Sequence, residues 1–135
     1  MTAKEYLSQV KKIEQEIASK KRLLQKLKYT ATNLSSPTFG DKVKSSPKDS
    51  NIVDKIIELE NIIERKELEL IDKIAEINTN IERVCNPVLI AVLTDKYVNG
   101  ISLSKIAENM NKAERTVQVW HGQALQIFRK ETGMK

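Results

Sequence analysis

Two long stretches of this 135-residue chain repeat apolar residues at alternating steps of three and four, the spacing of a helix with one narrow apolar face. Lys20 interrupts the first stretch, and an irregular step between Lys66 and Leu70 in the second resembles a stutter in the repeat. The first ladder is Tyr6, Val10, Ile13, Ile17, Leu24 and Leu27, and the second is Ile52, Ile56, Leu59, Ile63, Leu70, Ile74, Ile77, Ile81 and Val84. We expect two long helices, the second ending before Pro87 because proline pushes the preceding residue out of helical conformation.

A segment rich in Ser, Pro and Gly, at about residues 34–50, separates the two ladders and predicts a connecting loop long enough to reverse the chain. Residues 1–50 carry 11 Lys/Arg against 5 Asp/Glu, whereas residues 51–86 carry 5 against 9. Opposite charge favours pairing of the two helices, although burial of the Ile/Leu seam does most of the stabilising. The pattern predicts a long antiparallel, coiled-coil-like helical hairpin over residues 1–85. It leaves open whether the hairpin closes within one chain or forms a homodimer.

The basic residues Lys20, Lys21, Arg22, Lys26 and Lys28 allow two interpretations. They could contact phosphates, or they could form a solvated face that balances the acidic second helix. We favour the second interpretation because charge runs on helices are usually solvated faces. The absence of interleaved aromatic residues also argues against binding of single-stranded nucleic acid at this stretch.

Residues 86–135 contain the capping and turn residues expected of a small bundle of three helices. Asn86 can cap a helix whose first turn contains Pro87, and Asn99 with Gly100 should end that helix. Ser102 can cap the next short helix. The first helix has an apolar face, and the second has its own: Leu89, Val92, Leu93 and Tyr97, then Ile106, Ala107 and Met110.

A tight turn at Asn111, a residue that tolerates left-handed backbone conformation, should lead into the third helix. The helix should turn one apolar set of side chains toward its neighbours: Val117, Trp120, Ala124 and Phe128. It should turn a polar set outward: Glu114, Arg115, Gln118 and His121. Two short helices joined by a tight turn are a known way of inserting one helix into the DNA major groove.

Composition excludes several classes of protein. Cys85 and His121 are the single cysteine and histidine, so neither a disulfide framework nor a zinc site is expected, and a reducing, cytoplasmic setting fits. Cys85 should be a partly buried thiol. No apolar run is long enough to cross a bilayer, and the charged first twenty residues do not resemble a signal peptide. We expect no cofactor and no enzymatic activity, since the carboxylates of the second helix should form a solvated face.

The C-terminal residues resemble a known family. The stretch from Ile106 to Met110, with Arg115, Thr116, Val117, Ala124, Leu125 and Arg129, is similar to the promoter-reading C-terminal helix-turn-helix of bacterial sigma factors. Over its whole length, including residues 3–7, 36–40 and 45–47, the chain resembles small proteins of phages and prophages of Gram-positive bacteria. Some members of that family are implicated as late-gene transcription regulators. The resemblance implies a DNA-binding activator in the cytoplasm of a bacterial host.

The chain also departs from the sigma pattern. Ala113 replaces the usual Ser or Thr cap of the recognition helix, and Asn111 and Lys112 replace the usual glycine and apolar residue of the turn. We therefore transfer the orientation of the helix but not its promoter preference. Arg115 could pair with guanine and Gln118 with adenine. The residues expected to contact DNA are Lys112, Glu114, Arg115, Thr116, Gln118, Val119 and His121.

Three functions follow from this sequence. The leading one is a sequence-specific regulator that binds promoter DNA and acts with host RNA polymerase, with the hairpin as a dimerisation or docking arm. The second is a DNA-packaging recognition subunit of phage type, which would assemble into rings of many protomers. The third is a protein-binding adaptor whose C-terminal helices never touch DNA.

Overall fold

A computed structural model describes residues 1–34 and 47–135, and the side chains of residues 1–33 and 51–135. No strand occurs in these ranges, so the predicted all-α class is confirmed. The helices are α1 (Ala3–Leu7), α2 (Gln9–Leu34), α3 (Pro47–Glu82), α4 (Pro87–Leu93), α5 (Leu103–Met110) and α6 (Glu114–Thr132), and a π-helical segment, Thr94–Val98, extends α4. No helix in the described ranges combines the length and the apolar character needed to cross a membrane.

The first predicted helix is divided at Ser8. A capping box starts α1, in which the Thr2 hydroxyl accepts the Glu5 backbone N–H and the Glu5 carboxylate accepts the Thr2 N–H. Hydrogen bonds from the Ser8 N–H to the Lys4 carbonyl and from the Lys12 N–H to the Ser8 carbonyl keep the backbone close to helical across the division. The apolar ladder therefore stays on one side of α1 and α2.

The connecting loop predicted at about residues 34–50 falls largely on residues 35–46, which lie outside the described part of the chain. The prediction was wrong at its two ends, because residue 34 still belongs to α2 and residues 47–50 are already helical. The helix begins at Pro47, whose fixed φ and missing N–H suit a first turn. Residues 47–50 were predicted as loop because the apolar ladder starts only at Ile52.

The contacts divide the chain into two compact units. The middle unit is Glu14–Glu69, and the terminal unit combines Met1–Ile13 with Leu70–Lys135. The predicted division at residues 85 and 86 stays a prediction about folding domains. The packing adds a feature that the sequence analysis did not anticipate, since the first thirteen residues pack with the C-terminal helices.

In the middle unit, α2 and α3 are linked by ion pairs and by buried Ile17, Leu59 and Ile63. The pairs join Lys21 to Glu67 at 3.0 Å, Lys28 to Glu60 at 3.2 Å and Lys66 to Glu16 at 3.0 Å. Lys28, the furthest along α2 of the three, pairs with Glu60, the earliest of the three partners on α3. The basic residues Lys21 and Lys28 thus balance acidic residues of α3, in line with the solvated-face interpretation.

The terminal unit has a core built from α1, the ends of α2 and α3, and the C-terminal helices. Its buried residues are Ala3, Tyr6, Leu7, Val10, Ile77, Ile81, Val84, Leu89, Leu93, Tyr97, Ala124, Leu125 and Phe128. The ring of Tyr6 stacks on that of Phe128, with centroids 6.2 Å apart. The N-terminal segment therefore contributes to the same core as α6.

Polar contacts also secure the N-terminal segment. The Tyr6 hydroxyl donates to Glu76 Oε2 at 2.6 Å and accepts from Asn80 Nδ2 at 2.7 Å. Burial, followed by the hydrogen bond to Glu76, raises the pKa of Tyr6 to about 12. The Ala3 N–H donates to the Lys135 carbonyl at 3.0 Å, so both ends of the described chain meet.

Candidate nucleic-acid interface

Helix α4 begins where the sequence predicts, and the π-helical segment that extends it brings the helical stretch to its predicted end at Asn99 and Gly100. The Asn86 side chain accepts the backbone N–H groups of Val88 and Leu89, and Pro87 occupies the first turn. Its predicted apolar residues Leu89, Val92, Leu93 and Tyr97 are all buried. The π-helical segment was not predicted, and it ends at Asn99, followed by Gly100 with φ 69°.

The predicted partial burial of Cys85 was wrong, because the structure has this residue exposed with φ 67°. Helix α3 ends at Glu82, and residues 83–85 form a turn that leads the chain toward the Asn86 cap. Cys85 itself is the residue of this connection that has left-handed backbone conformation, and its thiol is exposed.

The geometry of α5 matches its sequence signals. The Ser102 hydroxyl accepts the Lys105 N–H at 3.2 Å, which caps the helix. Asn111 ends it in the left-handed region, at φ 57° and ψ 44°. Ile106 and Ala107 are buried against α4 and α6, together with Val92 and Val117. The short segment 111–113 then leads directly into α6.

The apolar side of α6 is buried as predicted at Val117, Ala124 and Phe128. Trp120 is partly buried and packs against both apolar clusters of the terminal unit, which agrees with its assignment to packing. Ala113 precedes the helix with no side-chain cap, as expected for this residue. The N-terminal end of α6 is thus held by packing rather than by a cap.

The structure brings most of the expected contact residues to one surface at the start of α6. Five of them are exposed: Lys112, Glu114, Arg115, Gln118 and Val119. Thr116 is partly buried. The exposed fraction of Val119 reaches 50%, which leaves an apolar side chain beside the polar ones. This exposed set offers a guanidinium, an amide and a methyl surface within two turns of helix.

His121 departs from the prediction of an outward side chain. It is half-buried, its Nε2 lies 2.8 Å from the Tyr97 hydroxyl, and the two rings are 5.7 Å apart. Burial, followed by the positive charges of Lys96 and Lys4, lowers its pKa. The helical period alone could not reveal this, because the partner lies on the segment after α4.

A shallow groove of about 470 Å³ runs along α6, beside the expected contact residues. Three of the expected contact residues, Gln118, Val119 and His121, line it. The additional lining residues are Lys4, Gly122, Gln123, Leu125, Gln126 and Arg129. Lys4 could not have been found from sequence spacing, since it reaches the groove only through packing of α1 against α6.

The described residues contain no group of three or more His, Cys, Asp and Glu side chains that could hold a metal ion. The expected contact residues supply ammonium, guanidinium, carboxylate, amide, hydroxyl, imidazole and apolar side chains on α6 and just before it. The cationic and amide groups among them can donate hydrogen bonds to base edges and phosphates.

One family of known proteins matches this chain. Neither the curated proteins nor the solved structures contain a significant match to the chain. A family model described as "Protein of unknown function (DUF1492)" matches residues 33–128, which is well over half of the chain. The matched range covers all of α3, α4 and α5, and it ends within α6 at Phe128. The chain therefore belongs to the DUF1492 family.

Proposed function

We propose that this protein is a sequence-specific DNA-binding transcriptional regulator, in which α5, the turn at 111–113 and α6 act as a helix-turn-helix. The observation that carries the proposal is the division of α6 into two sides. Val117, Ala124 and Phe128 are buried on one side of the helix. The side chains of Arg115 and Gln118 are exposed in its first turns. A helix presented in this way can enter the major groove with its N-terminal residues against base edges.

The exposed side chains suit that task chemically. A guanidinium such as that of Arg115 can donate two hydrogen bonds to guanine, and the amide of Gln118 can pair with adenine in the same bidentate manner. Val119 can contact a thymine methyl group. Lys112 lies just before α6, where its ammonium can neutralise a phosphate. Glu114 can accept from the amino group of cytosine, so the set can discriminate among bases.

His121 has a different part in this proposal. Its hydrogen bond to Tyr97 holds it against the segment after α4, so it positions α6 rather than reading a base. Thr116 is partly buried and can reach a phosphate only by its hydroxyl. The remaining contact residues, Lys112, Glu114, Arg115, Gln118 and Val119, form the proposed reading surface.

The test begins with selection of a preferred duplex from a random pool by the whole protein. Binding of the selected duplex should weaken steeply as salt rises, because phosphate contacts release counterions. Arg115→Ala should cost about 1–3 kcal/mol on the selected duplex and relax specificity at one position. Arg65→Ala, which removes an exposed arginine from the middle unit, is the matched control and should leave base preference unchanged.

Two results would separate this function from its alternatives. A protein that shows no salt-dependent affinity for any duplex would be an adaptor that binds another protein. A solution mass of many protomers would indicate a ring-forming DNA-packaging subunit instead of a regulator. If Arg115→Ala binds the selected duplex with unchanged affinity and specificity, Arg115 does not read a base.

The middle unit supports a second part of the proposal, a helical hairpin of α2 and α3 that pairs with a second copy of the chain. Val53, Ile57 and Leu68 are 52%, 50% and 56% exposed. Steps of four and eleven residues, close to one and three helical turns, keep them on one side of α3. The acidic α3 of one copy would also meet the basic α2 of its partner, as it does within the chain.

The likeness to phage proteins suggests that the regulator activates late genes together with host RNA polymerase. The few aromatic residues of the helical hairpin region 1–85, Tyr6, Tyr29 and Phe39, favour recruitment of a polymerase over replacement of its sigma factor. A footprint on the adjacent late promoter, made with and without polymerase, tests this step. Protection that requires polymerase supports recruitment, and equal protection without it supports autonomous promoter recognition.

A further inference from the structure

Gly122 is the least expected residue of α6. It lies in the interior of a 19-residue helix, where glycine is less favourable than alanine. A Cβ at this position would meet nothing within 4 Å, and the φ of Gly122 is not in the left-handed region. Neither packing nor backbone conformation within the chain therefore requires glycine here. A group from outside the chain that approaches the helix backbone closely would require it.

The surroundings of Gly122 indicate what that group is. Gln118 and Gln126 lie one turn before and one turn after it, and all three line the groove along α6. Lys4 and Arg129 bring two positive charges to the same groove. Among the described residues, neither of these cations forms an ion pair with a carboxylate.

Arg129 provides a second, independent indication. Its Nε is buried and has no hydrogen-bond acceptor within the described residues. A buried N–H group is normally hydrogen-bonded, so the missing acceptor of Nε is notable, and the guanidinium itself is partly exposed along the groove. An anion in the groove would supply acceptors to the guanidinium, because arginine and phosphate oxygens pair with good geometry.

We propose that the groove over Gly122 receives the sugar-phosphate backbone of one DNA strand, with a phosphate held between Lys4 and Arg129. This inference rests on the proposed function and extends it beyond the reading surface at the start of α6. The amide of Gln126 donates to a flanking phosphate or sugar oxygen, and the bare backbone at Gly122 allows the strand to lie close to the helix. The N-terminal helix α1 thereby becomes part of the DNA-binding surface through Lys4.

The central test uses Gly122→Ala, which should separate stability from binding. The variant should melt a few degrees higher than the wild type, because alanine is the better helix former and its methyl group meets no atom of the chain. Its affinity for the selected duplex should fall about tenfold, since the methyl group would keep the strand away from the helix. Most substitutions that weaken binding by misfolding would lower the melting temperature instead.

Asn78→Ala is the matched control for this variant. Asn78 is exposed on α3 within the terminal unit and lies outside the groove, so alanine should raise the melting temperature without changing affinity. Lys4→Gln should reduce the slope of log affinity against log salt by about 0.9, the loss of one phosphate contact. Lys12→Gln is the control, because Lys12 is exposed but does not line the groove, and it should leave the slope unchanged.

The outcomes distinguish the two levels of the proposal. Wild-type protein without salt-dependent duplex binding would overturn the proposed function and this inference together. Duplex binding that is weakened by Arg115→Ala but unaffected by Gly122→Ala would overturn only the groove. An unchanged salt slope in Lys4→Gln would likewise remove the phosphate from Lys4.

Discussion

Arg115 and His121 lie on the same helix but have different environments. Arg115 is exposed in the first turn, whereas His121 is half-buried with its Nε2 against the Tyr97 hydroxyl. The Arg115 guanidinium is available to hydrogen-bond a ligand. Nε2 of His121 is already hydrogen-bonded to the Tyr97 hydroxyl. Mutation of the two residues should therefore have different consequences, on binding for Arg115 and on stability for His121.

The environment of His121 predicts a dependence of stability on pH. Burial lowers its pKa in the folded protein, so the unfolded chain takes up this proton first as the pH falls below the ordinary value of 6.5. Because the unfolded state then binds more protons, the free energy of unfolding should decrease below that pH. The melting temperature should thus be lower at pH 5.5 than at pH 7.5.

The variant His121→Gln keeps a polar group near Tyr97 but cannot titrate. It should flatten the change in melting temperature between the two pH values. The carboxyl groups with lowered pKa, Glu5 and Glu76, start from an ordinary value of 4.5 and so contribute mainly at lower pH. A variant that retains the full wild-type difference would show that other groups cause it.

For single helices, the sequence predicted correctly those features that depend on residues close together in the chain. The caps Asn86 and Ser102 and the left-handed Asn111 depend on residues within one turn, and all three were predicted. The π-helical segment at Thr94–Val98 has no comparable local signal. The division at Ser8 was also missed, because the apolar ladder continues across it. The helix-turn-helix arrangement itself stays a prediction that binding experiments must test.

The uncapped start of α6 leads to a prediction on stability. Ala113 has the extended backbone of an N-cap residue, φ −68° and ψ 146°, but its side chain accepts no hydrogen bond. Ala113→Ser should supply the missing acceptor and stabilise the protein by about 1 kcal/mol. Chemical denaturation would measure the gain as a shift of the midpoint without a change in slope.

Ser102→Ala is the reciprocal variant, since it removes an existing cap from α5. It should destabilise the protein by about the same 1 kcal/mol. If Ala113→Ser has no effect while Ser102→Ala has the expected one, packing of Val117 and its neighbours already fixes the start of α6 completely.

For the chain as a whole, apolar periodicity predicted the helical class. It did not predict which segments pack together in the terminal unit. The core contact of Tyr6 with Phe128 joins residues that no periodic pattern relates. For the same reason, Lys4 and Arg129 were not recognised as neighbours along one groove. Contacts between distant residues depend on how the helices pack, and single-sequence periodicity contains little information on that packing.

The exposed apolar side of α3 predicts the state of association. Leu68→Lys should shift the protein from dimer to monomer, because a charge would have to be buried at the proposed interface. Light scattering coupled to size-exclusion chromatography would measure the mass, and circular dichroism would verify unchanged helix content. Lys55→Gln, an exposed substitution on the same helix that leaves its acidic side chains in place, is the control and should leave the mass unchanged. A wild-type monomer at all concentrations would contradict the interface.

The meeting of Ala3 with Lys135 affects when the protein can act during its synthesis. Lys4 leaves the ribosome well before Arg129 and the rest of α6. A nascent chain therefore lacks one wall of the proposed groove until α6 has been translated and has packed against α1. DNA binding through this groove would wait for α6, so translation products that stop before α6 could not occupy its target sites in this way.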